Sequence, residues 1–223
     1  MIKLPENLKS VIFDLDGTLV DTAGEFVVVV QQLRAEHDLP PMDSELIRSN
    51  VSNGAKALVT LSLDRRETDD DFESKRLRLL EIYSTVLGST ATLYPGIQDL
   101  LDALHDRGIS WGISTNKPRA YAEPLLERLS IQPEMGSLVC PDDVSNRKPH
   151  PEPLYLNCMQ LDCAPHEAIY VGDHVRDIDA GRSAGIFTIA AAYGYIEAQD
   201  NPASWNANII AKSSSELLGL ILP

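Results

Sequence analysis

The sequence predicts an α/β protein, in which helices cover a parallel β-sheet and an all-helical block is inserted after the first strand. Three observations lead to this fold class. From residue 96 onward, short apolar runs alternate with helical patterns, as they do in parallel sheets with helices on both faces. Residues 22–90 carry the apolar spacing of helices alone. The predicted strands end at polar motifs, and ligands bind at the carboxyl ends of the strands in such sheets.

The first strand is predicted at Val11 to Phe13, an apolar run that stops at Asp14. From residue 22 the apolar spacing becomes i, i+3, i+4, i+7, which predicts a helix despite its many valines: Phe26, Val29, Val30 and Leu33. The block is predicted to contain four helices, at about 22–36, 43–50, 54–63 and 72–87. Tyr94-Pro95-Gly96 ends it.

The remainder of the chain alternates between the two types of element. Strands are predicted at residues 109–114, 138–140, 168–171 and 186–190. Helices are predicted at residues 97–108, 119–129, 151–161, 175–184 and 213–222. We therefore divide the chain into an α/β core domain, residues 1–21 and 92–223, and an inserted helical domain, residues 22–91.

Acidic residues outnumber basic ones, since 33 Asp and Glu against 19 Lys and Arg give a formal net charge of −14. Nucleic acid is disfavoured as a partner because a phosphate backbone binds to a basic surface. An anionic membrane surface is disfavoured for the same reason. A small phosphorylated metabolite is compatible with this charge, because a local cationic pocket acts at short range.

The chain has 3 cysteines, Cys140, Cys158 and Cys163, and none of them forms a Cys-x-x-Cys pair. This pattern indicates neither a disulfide framework nor a zinc site, and it favours buried thiols in a reducing compartment. No signal-peptide pattern is visible, and the longest apolar run, Phe26 to Val30, is too short to cross a bilayer. We expect a cytoplasmic protein that is a monomer or a weak homodimer.

Four polar segments stand near the ends of predicted strands. They are Asp14-Leu15-Asp16-Gly17-Thr18, Ser114-Thr115-Asn116-Lys117, Asn146-Arg147-Lys148-Pro149 and Gly172-Asp173-His174-Val175-Arg176-Asp177. Because the carboxyl ends of parallel strands share one edge of a sheet, we expect these segments to meet. Together they contain four carboxylates, with hydroxyl groups and lysines among the other side chains.

The segment from Asp14 to Thr22 resembles the first motif of the haloacid dehalogenase-like phosphohydrolases. Thr115, Lys148 and the segment from Gly172-Asp173 through Asp177 resemble the next three motifs of that family, in order. The resemblance covers nearly the whole chain. It implies a phosphatase with a Rossmann-like parallel-sheet core, in which residues 22–91 are the family's inserted helical cap.

The chemistry of phosphoryl transfer gives these residues their expected roles. A carboxylate attacks phosphorus to form an aspartyl-phosphate, which splits one difficult displacement into two easier ones, and Asp14 is the candidate nucleophile. Asp16 lies two residues on and on the same side of an extended chain, so it can protonate the leaving alcohol and later take a proton from water. Thr115, Asn116 and Lys148 are expected to bind the phosphoryl oxygens.

A metal ion is expected as well, because several carboxylates around a phosphate require a cation and Mg²⁺ prefers oxygen ligands. The resemblance assigns Mg²⁺ to Asp14, the backbone carbonyl of Asp16, and Asp173. It places Asp177 in support of the metal or of Lys148.

Simpler interpretations stay open at each position. Asp14 and Asp16 also fit a strand end and turn, and Thr115-Asn116 fits a helix N-cap. Lys148 also fits a solvated surface lysine. Asp173 fits the N-cap of the next helix, and Asp177 fits a solvated helical residue.

The substrate is predicted from segments outside these motifs. Asn53-Gly54-Ala55 lies where related phosphoglycolate phosphatases carry a Gly-rich substrate loop, although it fits a plain helix N-terminus equally well. The stretches Tyr193-Gly194-Tyr195-Ile196 and Asp200-Asn201-Pro202 resemble the branch of the family that dephosphorylates N-acetylmuramic acid 6-phosphate. We expect that compound ahead of 2-phosphoglycolate.

Both compounds carry a carboxylate as well as a phosphate. Arg48 and Lys56 are candidate cations for capturing such an anion. Tyr193 to Tyr195 fit either an apolar wall for a sugar ring or packing residues.

Other functions compete with the phosphatase. A haloacid dehalogenase keeps this fold, but as the family is known it lacks an acid at the position of Asp16. A sugar-phosphate mutase keeps both Asp14 and Asp16. A phosphonate hydrolase needs a cap lysine that forms a Schiff base, for which Lys56 and Lys75 are candidates. A non-enzymatic phosphate-binding module has a similar acidic cluster but no large cap.

Overall fold

The computed structural model describes residues 4–223, and its centre is a six-stranded parallel sheet in the order β5-β4-β1-β6-β7-β8. The strands of this sheet are β1 (Ser10–Phe13), β4 (Ser110–Ser114), β5 (Ser137–Val139), β6 (Ala168–Gly172), β7 (Phe187–Ala191) and β8 (Ile209–Ala211). The central strand β1 pairs in parallel with β4 on one side and with β6 on the other. The predicted α/β fold class is therefore confirmed.

Nine α-helices complete the part of the chain that the structure describes. Four lie between the first strand and the rest of the sheet: α1 (Ala23–Ala35), α2 (Ser44–Arg48), α3 (Gly54–Leu63) and α4 (Phe72–Val86). Five pack around the sheet: α5 (Ile97–Asp106), α6 (Arg119–Leu129), α7 (Glu152–Gln160), α8 (Val175–Ala184) and α9 (Leu217–Ile221).

The valine-rich stretch is helical, as its spacing predicts. In α1 the side chains of Phe26, Val29, Val30 and Leu33 are buried on one face. Phe26 stacks on Tyr83 of α4, with ring centroids 4.4 Å apart and planes 14° apart. Burial of this apolar face outweighs the modest helix propensity of the valines, because tertiary packing supplies most of the stability of a protein helix.

Two short strands join the helical cap to the core. β2 (Val20–Asp21) and β3 (Thr92–Leu93) form an antiparallel pair in which Val20 lies opposite Leu93. The buried carboxylate of Glu25 accepts hydrogen bonds from the backbone of Thr90 and Ala91 at 3.4 and 3.3 Å, so the outgoing and returning chains are tied together. The proposed division at residues 21 and 92 falls within this ribbon.

Two features differ from the sequence prediction. Strand β8 and the β2–β3 ribbon were not expected, because they span only three and two residues per strand and such lengths show no clear periodicity. The last helical stretch begins as a 3₁₀ turn and leaves only five residues in α9. None of these differences affects the strands that carry the polar motifs.

Across residues 4–223, no helix is both long enough and apolar enough to cross a membrane.

Candidate active site

The predicted polar segments meet at the carboxyl edge of the three central strands. Asp14 follows β1, Thr115 follows β4 and Asp173 follows β6 directly. Lys148 enters from the loop before α7, and its ammonium nitrogen lies 2.9 Å from Asp14 Oδ1. The sheet order β4-β1-β6 brings these residues together, because their strands are hydrogen-bonded neighbours that point the same way.

Asp14 has one oxygen that is held and one that is available. Its Oδ1 accepts a hydrogen bond from Leu15 N at 2.7 Å and pairs with Lys148, whereas no hydrogen bond or ion pair from the described residues falls on its Oδ2. The side chain is 14 % exposed. Burial raises the pKa of Asp14 to about 6 in spite of the neighbouring lysine. A fixed carboxylate with one oxygen free of hydrogen bonds is a geometry that suits a nucleophile.

The ammonium of Lys148 is buried and surrounded by oxygen atoms. Besides Asp14, it contacts Asp177 Oδ1 at 2.7 Å, the carbonyl oxygen of Ser114 at 2.7 Å and the hydroxyl of Tyr170 at 2.8 Å. Burial opposes its charge, but the carboxylates of Asp14 and Asp177 raise its pKa overall. With only 2 % of the residue exposed, Lys148 is not a solvated surface lysine.

Asp173 is buried with one oxygen unpartnered. Its Oδ2 accepts hydrogen bonds from Tyr195 N and from the Ser52 hydroxyl, each at 2.9 Å. Its Oδ1 has no hydrogen-bond partner. Burial and the neighbouring carboxylates of Asp14 and Asp177 raise its pKa well above the usual range. Because an orphaned buried oxygen is costly, this atom is a candidate ligand for a cation.

Gly17 allows the first loop to approach Asp173. Its φ of +82° is a backbone conformation that favours glycine, and a Cβ at this position would lie 2.1 Å from Asp173 Oδ2. The glycine of the first motif is therefore required twice, for the turn and for the close contact.

The residues present fit a Mg²⁺ ion. Carboxylate oxygens of Asp14, Asp173 and Asp177 lie within 4.8 Å of one another. Both oxygens of Asp177 are engaged, Oδ1 by Lys148 and Tyr170 and Oδ2 by His174 N at 3.1 Å. The unpartnered oxygens of Asp14 and Asp173 are left to hold a cation, and all-oxygen donors are what Mg²⁺ prefers.

The structure also decides between interpretations of the fourth motif. The N-cap of α8 is His174, whose side chain accepts a hydrogen bond from Arg176 N, so Asp173 does not cap this helix. Asp177 is fully buried on the first turn of α8 and is not a solvated residue. Gly172 allows the helix to come this close, since a Cβ there would lie 2.4 Å from Asp177 Cβ.

Asp16 is held by two donors. Its Oδ1 accepts a hydrogen bond from the Thr22 hydroxyl at 2.6 Å, and the Lys117 ammonium lies 2.9 and 3.2 Å from its two oxygens. The same ammonium lies over the rings of Phe26 and Tyr83, 5.4 and 4.8 Å from their centroids. Lys117 therefore connects the candidate acid and base to two helices of the cap.

The sequence reasoning gave Lys117 no role, although it stands two residues after Thr115. Thr115 is buried, and its hydroxyl accepts a hydrogen bond from Lys117 N at 3.0 Å. The N-cap of α6 is Pro118, so Thr115 does not cap that helix. Asn116 reaches the carbonyl of Lys148 at 3.1 Å and so joins the second loop to the third.

Comparisons with known proteins agree with this geometry. A model of the family described as haloacid dehalogenase-like hydrolase matches residues 11–191. The chain belongs to this family. The matched residues include all four polar segments described above.

Two curated relatives and one solved structure are similar over nearly their whole length. The N-acetylmuramic acid 6-phosphate phosphatase of Pseudomonas aeruginosa is 42 % identical over 96 % of this chain and 95 % of the relative. The phosphoglycolate phosphatase of Xanthomonas campestris is 34 % identical over 94 % of each chain. A structure of a predicted phosphoglycolate phosphatase from Haemophilus somnus matches with a TM-score of 0.84 and 27 % identity, covering 96 % and 98 % of the two chains. The expected class, a phosphoric monoester hydrolase, is confirmed.

The cap of this hydrolase reaches the core through a loop after α2. Ser52 contacts Asp173 through its hydroxyl, and its carbonyl oxygen accepts a hydrogen bond from Arg176. The Asn53 amide donates to Glu197 at 2.7 Å, whereas Gly54 is exposed with a φ of +80° and starts α3. The structure brings Asn53 to the seam between cap and core, but it places Gly54 outside these contacts.

The hydroxyls of Tyr193 and Tyr195 form hydrogen bonds with the protein backbone. Tyr195 is 5 % exposed and accepts hydrogen bonds from the backbone of Thr22 and Ala23 at 2.7 and 2.9 Å. The Tyr193 hydroxyl donates to Thr18 O at 2.9 Å, and its ring packs edge-on against another tyrosine. Of the two interpretations, burial favours packing for Tyr195, whereas Tyr193 is half-buried and both interpretations stay open for it.

The two side chains predicted as candidate cations for the substrate, Arg48 and Lys56, each form an ion pair with a carboxylate. Arg48 lies 2.9 Å from Asp21, and Lys56 lies 2.6 Å from Glu67 in a pair that is exposed on both sides.

We expect Lys117→Met to lower kcat about ten-fold or more while the protein stays folded, because Asp16 loses the charged donor that fixes both of its oxygens. The measurement is steady-state turnover of p-nitrophenyl phosphate. Lys56→Met removes the same charge from an exposed cap pair and should leave kcat within about two-fold. Wild-type turnover in Lys117→Met would contradict the importance of this contact.

Proposed function

We propose that this chain is a Mg²⁺-dependent phosphatase that hydrolyses a small phosphomonoester through an aspartyl-phosphate on Asp14. One observation carries the proposal. Asp14 has an oxygen without a partner, beside the buried ammonium of Lys148 and the orphaned oxygen of Asp173. This arrangement supplies a nucleophile, a fixed positive charge for the phosphoryl group and a cation site within a few ångströms.

In the first step, Asp14 Oδ2 attacks phosphorus and the bond to the leaving oxygen breaks. Asp16 gives that oxygen its proton, so the product leaves as a neutral alcohol. The Lys148 ammonium and the Thr115 hydroxyl stabilise the phosphoryl oxygens, as phosphoryl transfer depends chiefly on positioning and charge.

In the second step, water attacks the phosphorus of the aspartyl-phosphate. Asp16, now ionised, takes a proton from the water, and the bond to Asp14 breaks to release inorganic phosphate. Both residues return to their starting states. Asp177 supports this cycle by pairing with Lys148 at 2.7 Å, away from the reacting atoms.

Asp14, Asp173 and the backbone carbonyl of Asp16 would hold the Mg²⁺ ion. When bound, the ion neutralises the negative charge that the carboxylates and the phosphate bring together. Binding there would also oppose the effect of burial, which raises the pKa of Asp14 and Asp173 when no cation is present.

The substrate that we propose is N-acetylmuramic acid 6-phosphate, ahead of 2-phosphoglycolate. The relatives named for the first compound are 42 and 41 % identical to this chain, whereas the relative from Xanthomonas campestris named for the second is 34 % identical. Arg176 and Lys117 are two further basic groups near the site. Arg176 donates a hydrogen bond to the carbonyl oxygen of Ser52, and Lys117 forms an ion pair with Asp16.

The competing reactions are less well supported. A dehalogenase attacks carbon and needs no acid for an alcohol, yet Asp16 is held in place by Thr22 and Lys117. Lys56, a candidate for a Schiff base, is 60 % exposed and paired with Glu67. A mutase would use the same carboxylates, and it differs by returning an isomeric sugar phosphate without releasing phosphate.

Asp14→Asn should lower kcat by more than about a thousand-fold, because a neutral amide cannot form the aspartyl-phosphate. The measurement is phosphate release under saturating p-nitrophenyl phosphate, with circular dichroism to verify folding. Asp99→Asn, the same change on the exposed face of α5, is the matched control. Retention of a tenth of the wild-type kcat would rule out Asp14 as the nucleophile.

Activity should require Mg²⁺, vanish with a chelator and return when Mg²⁺ is added back. Ca²⁺ should inhibit, since it is larger and favours more ligands. Mg²⁺ should also raise the melting temperature of the wild type, because a ligand that binds the folded state stabilises it. Asp173→Asn should abolish that rise. Full activity in metal-free buffer, or an unchanged Mg²⁺ response in Asp173→Asn, would contradict the site.

The two candidate substrates should differ in kcat/KM by about ten-fold or more in favour of N-acetylmuramic acid 6-phosphate. The assay measures inorganic phosphate and the dephosphorylated product together. A preference for 2-phosphoglycolate would reverse the assignment. An isomeric sugar phosphate formed without phosphate release would instead identify a mutase.

A further inference from the structure

The hydroxyl of Tyr170 lies within the site, although Tyr170 stands three residues before Asp173 and belongs to none of the four motifs. The residue is fully buried on β6. Its hydroxyl oxygen lies 2.8 Å from Lys148 Nζ and 3.0 Å from Asp177 Oδ1. It is therefore in direct contact with two of the charged groups that surround Asp14.

Strand pairing and packing fix the position of this phenol. Tyr170 lies opposite Ile12 of β1, in a cluster with Leu154 of α7 and Ala180 of α8. Because the ring is enclosed between the sheet and these two helices, the hydroxyl is held at the carboxyl edge of the sheet by surrounding contacts.

A count of protons shows what the hydroxyl adds. The Lys148 ammonium has three protons, but four oxygens lie within hydrogen-bond distance: those of Ser114, Asp177, Tyr170 and Asp14, at 2.7, 2.7, 2.8 and 2.9 Å. All its protons are thus in use before a phosphoryl oxygen arrives. For Lys148 to bind that phosphoryl oxygen, one of the four oxygens must lose its hydrogen bond from the ammonium.

If the Lys148 proton that points to Asp177 turns away, a second donor can take its place. The Tyr170 hydroxyl has a proton of its own, for which Asp177 Oδ1 at 3.0 Å is a nearer acceptor than the Ser114 carbonyl oxygen at 3.3 Å, and His174 N donates to Asp177 Oδ2. If a Lys148 proton turns away, Asp177 still has a donor on each oxygen. Without the phenol, the same movement would leave a buried carboxylate oxygen unpartnered, which is costly.

We propose that Tyr170 is a positioning residue for Lys148, whose hydroxyl keeps Asp177 hydrogen-bonded while the lysine turns a proton to the phosphoryl oxygen. This inference rests on the proposed phosphatase function. Burial raises the pKa of Tyr170 well above its usual range, so the hydroxyl keeps its proton throughout. Tyr170 itself touches none of the reacting atoms and acts through Lys148 and Asp177.

The test compares Tyr170→Phe with Tyr155→Phe. Tyr155 is exposed, and its hydroxyl donates to Ser183 O at 3.3 Å, so the control removes the same atom from a surface hydrogen bond. With p-nitrophenyl phosphate and Mg²⁺, Tyr170→Phe should lose about ten-fold in kcat with KM within about two-fold. Tyr155→Phe should match the wild type. Equal kcat values for the two variants would overturn the proposal.

A double-mutant cycle separates positioning from simple loss of packing. If Tyr170 acts through Asp177, its replacement should cost much less in an Asp177→Asn background than in the wild type. Additive losses would overturn the proposal. Should Tyr170→Phe fail to fold, Tyr170→Leu, which also lacks a hydroxyl, enters the same cycle.

Melting temperatures and the wild-type rate complete the design. All rates are measured well below every variant's melting temperature, so that lost folding is not counted as lost catalysis. If the wild type and Tyr155→Phe do not turn over p-nitrophenyl phosphate at all, the proposed function fails. If they do, and Tyr170→Phe equals them, only the role of Tyr170 fails.

Discussion

A buried ammonium between two carboxylates is the constraint on which the rest of the site depends. Lys148 lies 2.9 Å from Asp14 and 2.7 Å from Asp177. A buried carboxylate without a partner is so unfavourable that it becomes protonated, and a protonated Asp14 would be no nucleophile. The lysine counteracts this effect, and its own charge is kept in turn by the two carboxylates. Removal of any one of these three groups leaves the others uncompensated.

The cap takes part in the site through contacts made on both sides of Asp16. Thr22, which holds Asp16, is the residue before α1, and its backbone donates to the Tyr195 hydroxyl. Tyr195 in turn donates its own backbone N–H to Asp173. Lys117 completes the connection, because its ammonium lies between Asp16 and the rings of two cap helices. The candidate acid and base Asp16, the candidate metal ligand Asp173 and the start of the cap are therefore positioned by one connected set of hydrogen bonds.

The fold and the meeting of the polar segments at one edge of the sheet were predictable from the sequence because they depend on local patterns and on strand order. Asp14, Thr115 and Asp173 follow their strands directly, and parallel pairing alone brings such residues together. The contacts of Lys117 and Tyr170 were not predictable, since both depend on side-chain directions across elements far apart in the chain. Tyr195 is a case in which residue type alone was a poor guide: its aromatic ring is compatible with a ligand wall, but the ring is buried and its hydroxyl accepts hydrogen bonds at the start of α1.

The formal charge of the candidate site supports the proposed Mg²⁺ ion. Four carboxylates and two ammonium groups lie at the candidate site: Asp14, Asp16, Asp173, Asp177, Lys117 and Lys148. Their formal charges sum to 2 − 4 = −2, within a chain whose formal net charge is −14. A phosphate group cannot bind favourably to such a site unless the excess is neutralised. A divalent cation would offset that excess negative charge. The unpartnered oxygens of Asp173 and Asp14 are the atoms left to bind it.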